Sequence, residues 1–127
     1  MNEPTMPGAF VREAPASSEA EIRERHESNR QAWNEGAAAS YAKEVDDVVE
    51  FIRAGNSSLH PVERERLGHF LPGMRRAIHL QCAGGRDTLS LLNEGVHEVV
   101  GVDISDVMIE SAQRATDALG VAATWYR

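Results

Sequence analysis

The feature that most constrains this chain is a change of rhythm at Arg76. From there to Arg127, short β-branched runs alternate with segments of helical period. Residues 76–81 and 96–103 read as strands, the second more clearly because Val96, Val99, Val100 and Val102 fill it. Gly84 and Gly85 break the first run. Asp87 or Thr88 is placed to cap a helix carrying Leu89, Leu91 and Leu92, which Gly95 closes. Ser105 caps a second helix that buries Met108, Ala112, Ala115 and Leu119 and stops at Gly120, and residues 121–127 begin a third strand. Strand, helix, strand, helix, strand implies a parallel sheet with right-handed crossovers. The expected class is α/β, an incomplete Rossmann-like parallel sheet preceded by an N-terminal helical segment.

Upstream of the sheet the chain divides in two. Residues 1–27 are rich in Pro, Ala, Ser and Glu and bury too little apolar surface to offset their ordering entropy. They read as a disordered arm, with helix an option over residues 19–27. Residues 28–73 read as helical. Trp33, Ala37, Tyr41, Val45, Val48 and Ile52 recur at spacings of three and four, so one helix over residues 28–54 places them on one face. Gly36 weakens its middle, and two helices hinged there are the alternative. The stripe reads first as core and second as a lid. His60-Pro61 opens another helix with Leu67, Phe70 and Leu71 inward, and Pro72-Gly73 is a turn. Residues 74–127 carry the sheet.

Charge narrows the partners. A formal net charge of −7 repels phosphate backbones and anionic headgroups, so neither nucleic acid nor membrane is an expected partner. No run approaches the roughly 20 apolar residues of a membrane span, and the Pro4, Pro7 and Gly8 region does not read as a secretory signal. The single cysteine, Cys82, permits no intrachain disulfide and fits a reducing compartment, so a cytoplasmic location is expected. His26, His60, His69 and His97 lack metal-ligand spacing, and no metal is expected. Cys82 has no evident base partner and reads as a packing residue. His79, within a strand, reads as structural.

In parallel sheets of this kind ligands lie beyond the carboxyl ends of the strands. Those ends are residues 81–87 and 103–105. The first is a glycine loop entering a helix, where backbone can approach a ligand and free N–H groups attract negative charge. The second presents Asp103, a carboxylate able to accept two hydrogen bonds from the vicinal hydroxyls of a ribose. About twenty residues separate loop and acid, the spacing of a nucleoside-binding fingerprint. A helix-capping role for Asp103 beside Ser105 is compatible with the same position.

The run His79-Leu80-Gln81-Cys82-Ala83-Gly84-Gly85-Arg86-Asp87-Thr88-Leu89-Ser90-Leu91 resembles the first motif of a bacterial subfamily of class I S-adenosylmethionine-dependent methyltransferases. Val100-Gly101-Val102-Asp103-Ile104-Ser105 resembles the next strand of that family, and Met108-Ile109-Glu110-Ser111-Ala112 its following helix. Trp33-Asn34 and the Pro61-x-Glu63 helix are similar too, so the resemblance covers about residues 29–127. It implies S-adenosyl-L-methionine as cofactor. The amides around Cys82, Ala83, Gly84 and Gly85 would approach its methionine moiety, Asp103 would hold the ribose hydroxyls, and Ile104 would lie against the adenine. Trp33 and Tyr41 would close over the site. Gln81 stands where many such enzymes have an acid. Of the three alternating glycine positions, Ala83, Gly85 and Asp87, only Gly85 matches.

The family's adenine-amine contact and its methyl-transfer motif would fall beyond Arg127. The expectation is therefore a cofactor-binding half whose first strand is an open edge suited to self-association, with weak binding, no turnover by itself, and an unknown methyl acceptor. Either the chain is a fragment or a partner supplies the rest. Two other readings stay open. A nicotinamide-dependent oxidoreductase fragment also wants a glycine loop and an acid, but Asp87 would oppose its pyrophosphate. A non-enzymatic remnant or interaction module would use the open sheet edge.

Overall fold

A computed structural model describes residues 14–127. In chain order the elements are α1 (Glu19–Ala39), a 3₁₀ turn (Tyr41–Lys43), α2 (Val45–Arg53), α3 (Pro61–Leu67), β1 (Ala77–Leu80), α4 (Arg86–Asn93), β2 (Val99–Val102), α5 (Asp106–Leu119) and β3 (Ala123–Tyr126). The three strands form one parallel sheet in the order β1-β2-β3. Leu80 pairs with Val102 and Val102 with Tyr126, so the strands end level and their loops open on one rim. The chain is α/β, as its alternating pattern implies.

The sheet is covered on one face. Val99 and Gly101 turn inward toward the helices and are buried, while Ile78 and Leu80 on the other face are 64% and 65% exposed. The covered side holds two clusters. In one, Val45, Val48, Val49 and Ile52 of α2 pack with Leu89 of α4 and Ala115 of α5. In the other, Leu71 and Val96 surround Val99. Burying a side chain of this size stabilises by about 2 kcal/mol. Asn93 fastens α4 to the end of α2, donating its amide N–H to the carbonyls of Ile52 (3.0 Å) and Asn56 (2.7 Å).

Trp125 of β3 sets the fit between sheet and helices. Its indole N–H donates to Thr116 Oγ1 at 2.9 Å. The ring lies where a Cβ on Gly101 would be, so only glycine fits at that point of β2. A Cβ on Gly85 would meet the same ring at 2.7 Å and Ala112 Cβ at 2.8 Å, at a φ of +85°. Both glycines let α4 and α5 come down on the indole.

Several local expectations change. Of the arm expected over residues 1–27, residues 1–13 lie outside the described residues, and residues 19–27 take the helical option as the start of α1. Ser18 caps it by accepting the Glu21 N–H, and Glu19 and Glu21 sit in its positive first turn. Pairs Glu19–Arg23 and Glu21–Arg25 reinforce that turn one helical repeat apart. The helical segment is not one helix over residues 28–54, nor does it hinge at Gly36. It breaks after Ala39, where Ser40 leaves helical geometry. The stripe is thereby split: Ala37, Val45, Val48 and Ile52 are buried, but Trp33 is 51% exposed and Tyr41 is exposed as well. Leu71 is inward as expected, whereas Leu67, at the end of the short outer helix α3, and Phe70, in the turn that follows it, are exposed. The cap of α4 is Gly85 rather than Asp87 or Thr88. Asp87 instead accepts the Ser58 hydroxyl at 2.5 Å, and Thr88 is buried with its hydroxyl 2.8 Å from His79 Nδ1. Among the described residues no helix is long and apolar enough to cross a membrane.

Candidate functional site

The rim where the strands end carries the site. After Leu80 the chain turns through Gln81 (φ +59°) and Ala83 (φ +48°) before Gly85 starts α4. Two non-glycine residues in left-handed conformation within one short loop cost roughly 1–3 kcal/mol each and persist only where surroundings hold them. Here two anchors do so. The Cys82 N–H donates to the Val102 carbonyl at 3.0 Å, extending the sheet by one bond. The Ala83 N–H donates to Asp103 Oδ2 at 2.9 Å. Asp103 Oδ1 accepts the Ser105 N–H, also at 2.9 Å. The acid at the tip of β2 thus ties the first loop to the second.

Ser105 caps α5, its hydroxyl oxygen accepting the Met108 N–H at 3.2 Å. It is fully buried and donates its own proton to Asn34 Oδ1 at 2.7 Å. Asn34 also donates to Asp106 Oδ2 at 3.0 Å, and Arg30 reaches the same carboxylate oxygen. Arg127 lies 3.3 Å from the other oxygen. The Asn34 hydrogen bond, then the charges of Arg30 and Arg127, hold the Asp106 carboxyl below the usual carboxylate range.

This docking lays α1 across the rim and encloses a cavity of about 450 Å³. One wall is the sheet rim, with Gln81, Ala83, Asp103 and Ile104; the other is α1, with His26, Asn29 and Trp33. Met108 and Tyr41 complete the lining. A second chamber of about 210 Å³ lies against the glycine loop, lined by Cys82, Ala83 and Gly84 together with Glu44, Arg86 and Asp87 and the apolar Val45, Val48 and Ala115. Tyr41 and Ala83 border both chambers. The Tyr41 ring rests on Gly84, where an added Cβ would stand 2.9 Å from Tyr41 Cδ1.

The residues singled out in the sequence thus fall into three places. Gln81, Ala83, Asp103 and Ile104 share the larger cavity with Trp33 and Tyr41. Cys82, Ala83 and Gly84 face the smaller one. Gly85 lines neither and is a packing position against Trp125. Cys82 is buried, and burial followed by the nearby Asp103 charge pushes its thiol up to about 12. A thiol so held is protonated at neutral pH and has no nucleophilic role. Sequence reading gave no site role to His26, Asn29 or Asp106, and it read Met108 as a buried residue of its helix, which it is. For Asn34 the only signal was its place beside Trp33. Among the described residues no three His, Cys, Asp or Glu side chains gather to hold a metal ion. No protein-family model matches the chain, and no curated protein matches it.

Proposed function

We propose that the chain is the S-adenosyl-L-methionine-binding part of a Rossmann-like, class I methyltransferase domain. The observation that carries this reading is the position of Asp103, tied to the loop amide of Ala83 at the mouth of a cavity walled by Ile104, Met108 and Trp33. Each Asp103 oxygen already accepts one backbone N–H and keeps a lone pair for a further donor. Two such acceptors side by side suit the vicinal hydroxyls of a ribose. The apolar flank formed by Ile104 and Met108 suits a flat base, with the Trp33 indole opposite. The smaller chamber lies against the loop backbone of Cys82, Ala83 and Gly84, which suits the methionine end of the cofactor.

The bound cofactor supplies a methyl group already activated by its sulfonium charge, so the protein's part is to hold, orient and exclude water. Asp103, the loop amides and Ile104 would hold it, and Trp33 and Tyr41 would cover it. No general base is required of these residues, and none is assigned. The dinucleotide alternative fits less well, because Glu44 and Asp87 border the start of α4 where a pyrophosphate would sit.

A thermal-shift comparison tests the reading. S-adenosylhomocysteine should raise the melting temperature by several degrees; a ligand at 100 times its Kd adds about 2.7 kcal/mol. NAD at the same concentration should leave it unchanged. A rise with NAD alone would contradict the assignment. The interaction-module reading has one observation in its favour, the exposed Ile78 and Leu80 on edge strand β1. Sedimentation velocity tests it: concentration-dependent self-association supports it, and a monomer at every concentration counts against it.

A further inference from the structure

α1 and α2 are consecutive helices held by different forces. α2 spans 9 residues and buries Val45, Val48, Val49 and Ile52. α1 spans 21 residues and buries only Ala37. Packing of an apolar face is what fixes a helix in a fold, so α2 belongs to the core and α1 is attached to it from outside. The attachment is polar and concentrated at the start of α5. Asn34 receives the Ser105 hydroxyl and donates to Asp106, and Arg30 reaches Asp106 as well. Opening α1 uncovers one small apolar side chain and hands its hydrogen bonds over to water, whereas freeing α2 would expose four buried aliphatic side chains, so this attachment opens more readily than the core.

The chain between the two helices is suited to bending. Ser40 has φ −125° and ψ −67°, outside helical geometry, and a single 3₁₀ turn separates it from α2. Beyond the bend, His26, Asn29 and Trp33 of α1 face the cavity opposite Asp103. The attachment and the cavity also share a residue: Ser105 bonds Asn34 through its side chain and Asp103 through its backbone N–H.

We propose that α1 is a clasp that swings about residues 40–44 and closes over the occupant of the His26–Trp33–Asp103 cavity, with Asn34 as its latch. The proposal rests on reading that cavity as a ligand site. Contacts from an occupant to Trp33 exist only with the clasp closed, so occupation shifts the equilibrium toward closure. Asn34 is a positioning residue: it touches Ser105 and Asp106 and acts on the site through them.

Hydrogen–deuterium exchange on the full chain, read by mass spectrometry, tests the clasp with and without a ligand. Without ligand, amides of α1 should exchange at least about tenfold faster than those of α2 and α5. Asn34→Asp, which removes the donor to Asp106 and sets two carboxylates together, should speed α1 further and leave α2 unchanged. Combining Asn34→Asp with Asp106→Asn restores a donor–acceptor pair and should return α1 toward its original rate. Equal protection of α1 and α2 in the free chain, or exchange that rises throughout in Asn34→Asp and is not restored by the pair, overturns the proposal. With S-adenosylhomocysteine as probe, α1 should slow by about tenfold and Asn34→Asp should bind more weakly. Binding detected by calorimetry with no slowing of α1 overturns the clasp and leaves the site reading intact. Absence of binding counts against the site reading, and the ligand-free comparison still decides whether α1 opens independently of α2.

Discussion

The carboxylate of Asp103 accepts the N–H of Ala83 at 2.9 Å, joining two loops twenty residues apart in the chain. The bond fastens a loop whose backbone is strained at Gln81 and Ala83. Asp103→Ala removes the acceptor for both the Ala83 and Ser105 amides. It should destabilise the fold by about 2 kcal/mol, the cost of leaving such groups unpaired. Urea unfolding measures it as a lower midpoint at unchanged slope. A midpoint equal to that of the wild type would show that the loop holds its shape unaided.

Gly101→Ala tests the seat of Trp125. The added Cβ overlaps the indole and stands 2.9 Å from Cys82 Sγ. Neither neighbour has room to withdraw, because the indole N–H is bonded to Thr116 and Cys82 is buried. Overpacking of this kind costs about 3 kcal/mol. The variant should melt well below the wild type, with altered tryptophan fluorescence from Trp125.

The alternation of strands and helices was legible because it rests on local chemistry. The β-branched run at Val99 to Val102, the Ser105 cap and Gly120 in left-handed conformation all act where they stand in the chain. The loop and Asp103 were legible for the same reason, as a short motif at fixed spacing. The long-range attachments were not. Asn34 reaches Ser105 across 71 residues, and nothing within the sequence near Asn34 specifies that pairing. The Trp33–Tyr41 stripe misled because helical spacing records which residues share a face, not whether that face is packed. Both aromatics border a cavity, and the break after Ala39 turns them from the core that Val45 and Val48 enter. Helix over residues 19–27 stood only as an option in the sequence because its apolar content is low; capping and charge at Ser18, Glu19 and Glu21 supply what burial does not, and α1 starts at Glu19.

Cys82 should be inert in the folded chain. With its thiol pushed up to about 12 and its side chain buried, a maleimide at pH 8 should label it only on the timescale of unfolding, and at once in denaturant. Rapid labelling of the native chain would contradict its buried placement.

The attachment of α1 should be insensitive to pH from neutrality down to about 5 and fail in acid. Asp106 has an ordinary value of 3.8 that the fold lowers. A carboxyl with a lowered folded value contributes stability that is complete above its unfolded value and is lost as pH falls through the folded one. Exchange of α1 amides, corrected for the intrinsic pH dependence of exchange, should therefore accelerate relative to α2 only below about pH 4. Acceleration already near pH 6 would contradict the role given to Asp106.

The most direct measurement of the cofactor assignment is a calorimetric titration of the purified chain with S-adenosylhomocysteine, with NAD as the control ligand and Asp103→Ala as a second protein. The expected result is saturable heat with S-adenosylhomocysteine only, lost when Asp103 is replaced. A folded chain that gives no heat with S-adenosylhomocysteine, or that binds NAD in its place, would contradict the assignment of this rim as an S-adenosyl-L-methionine site.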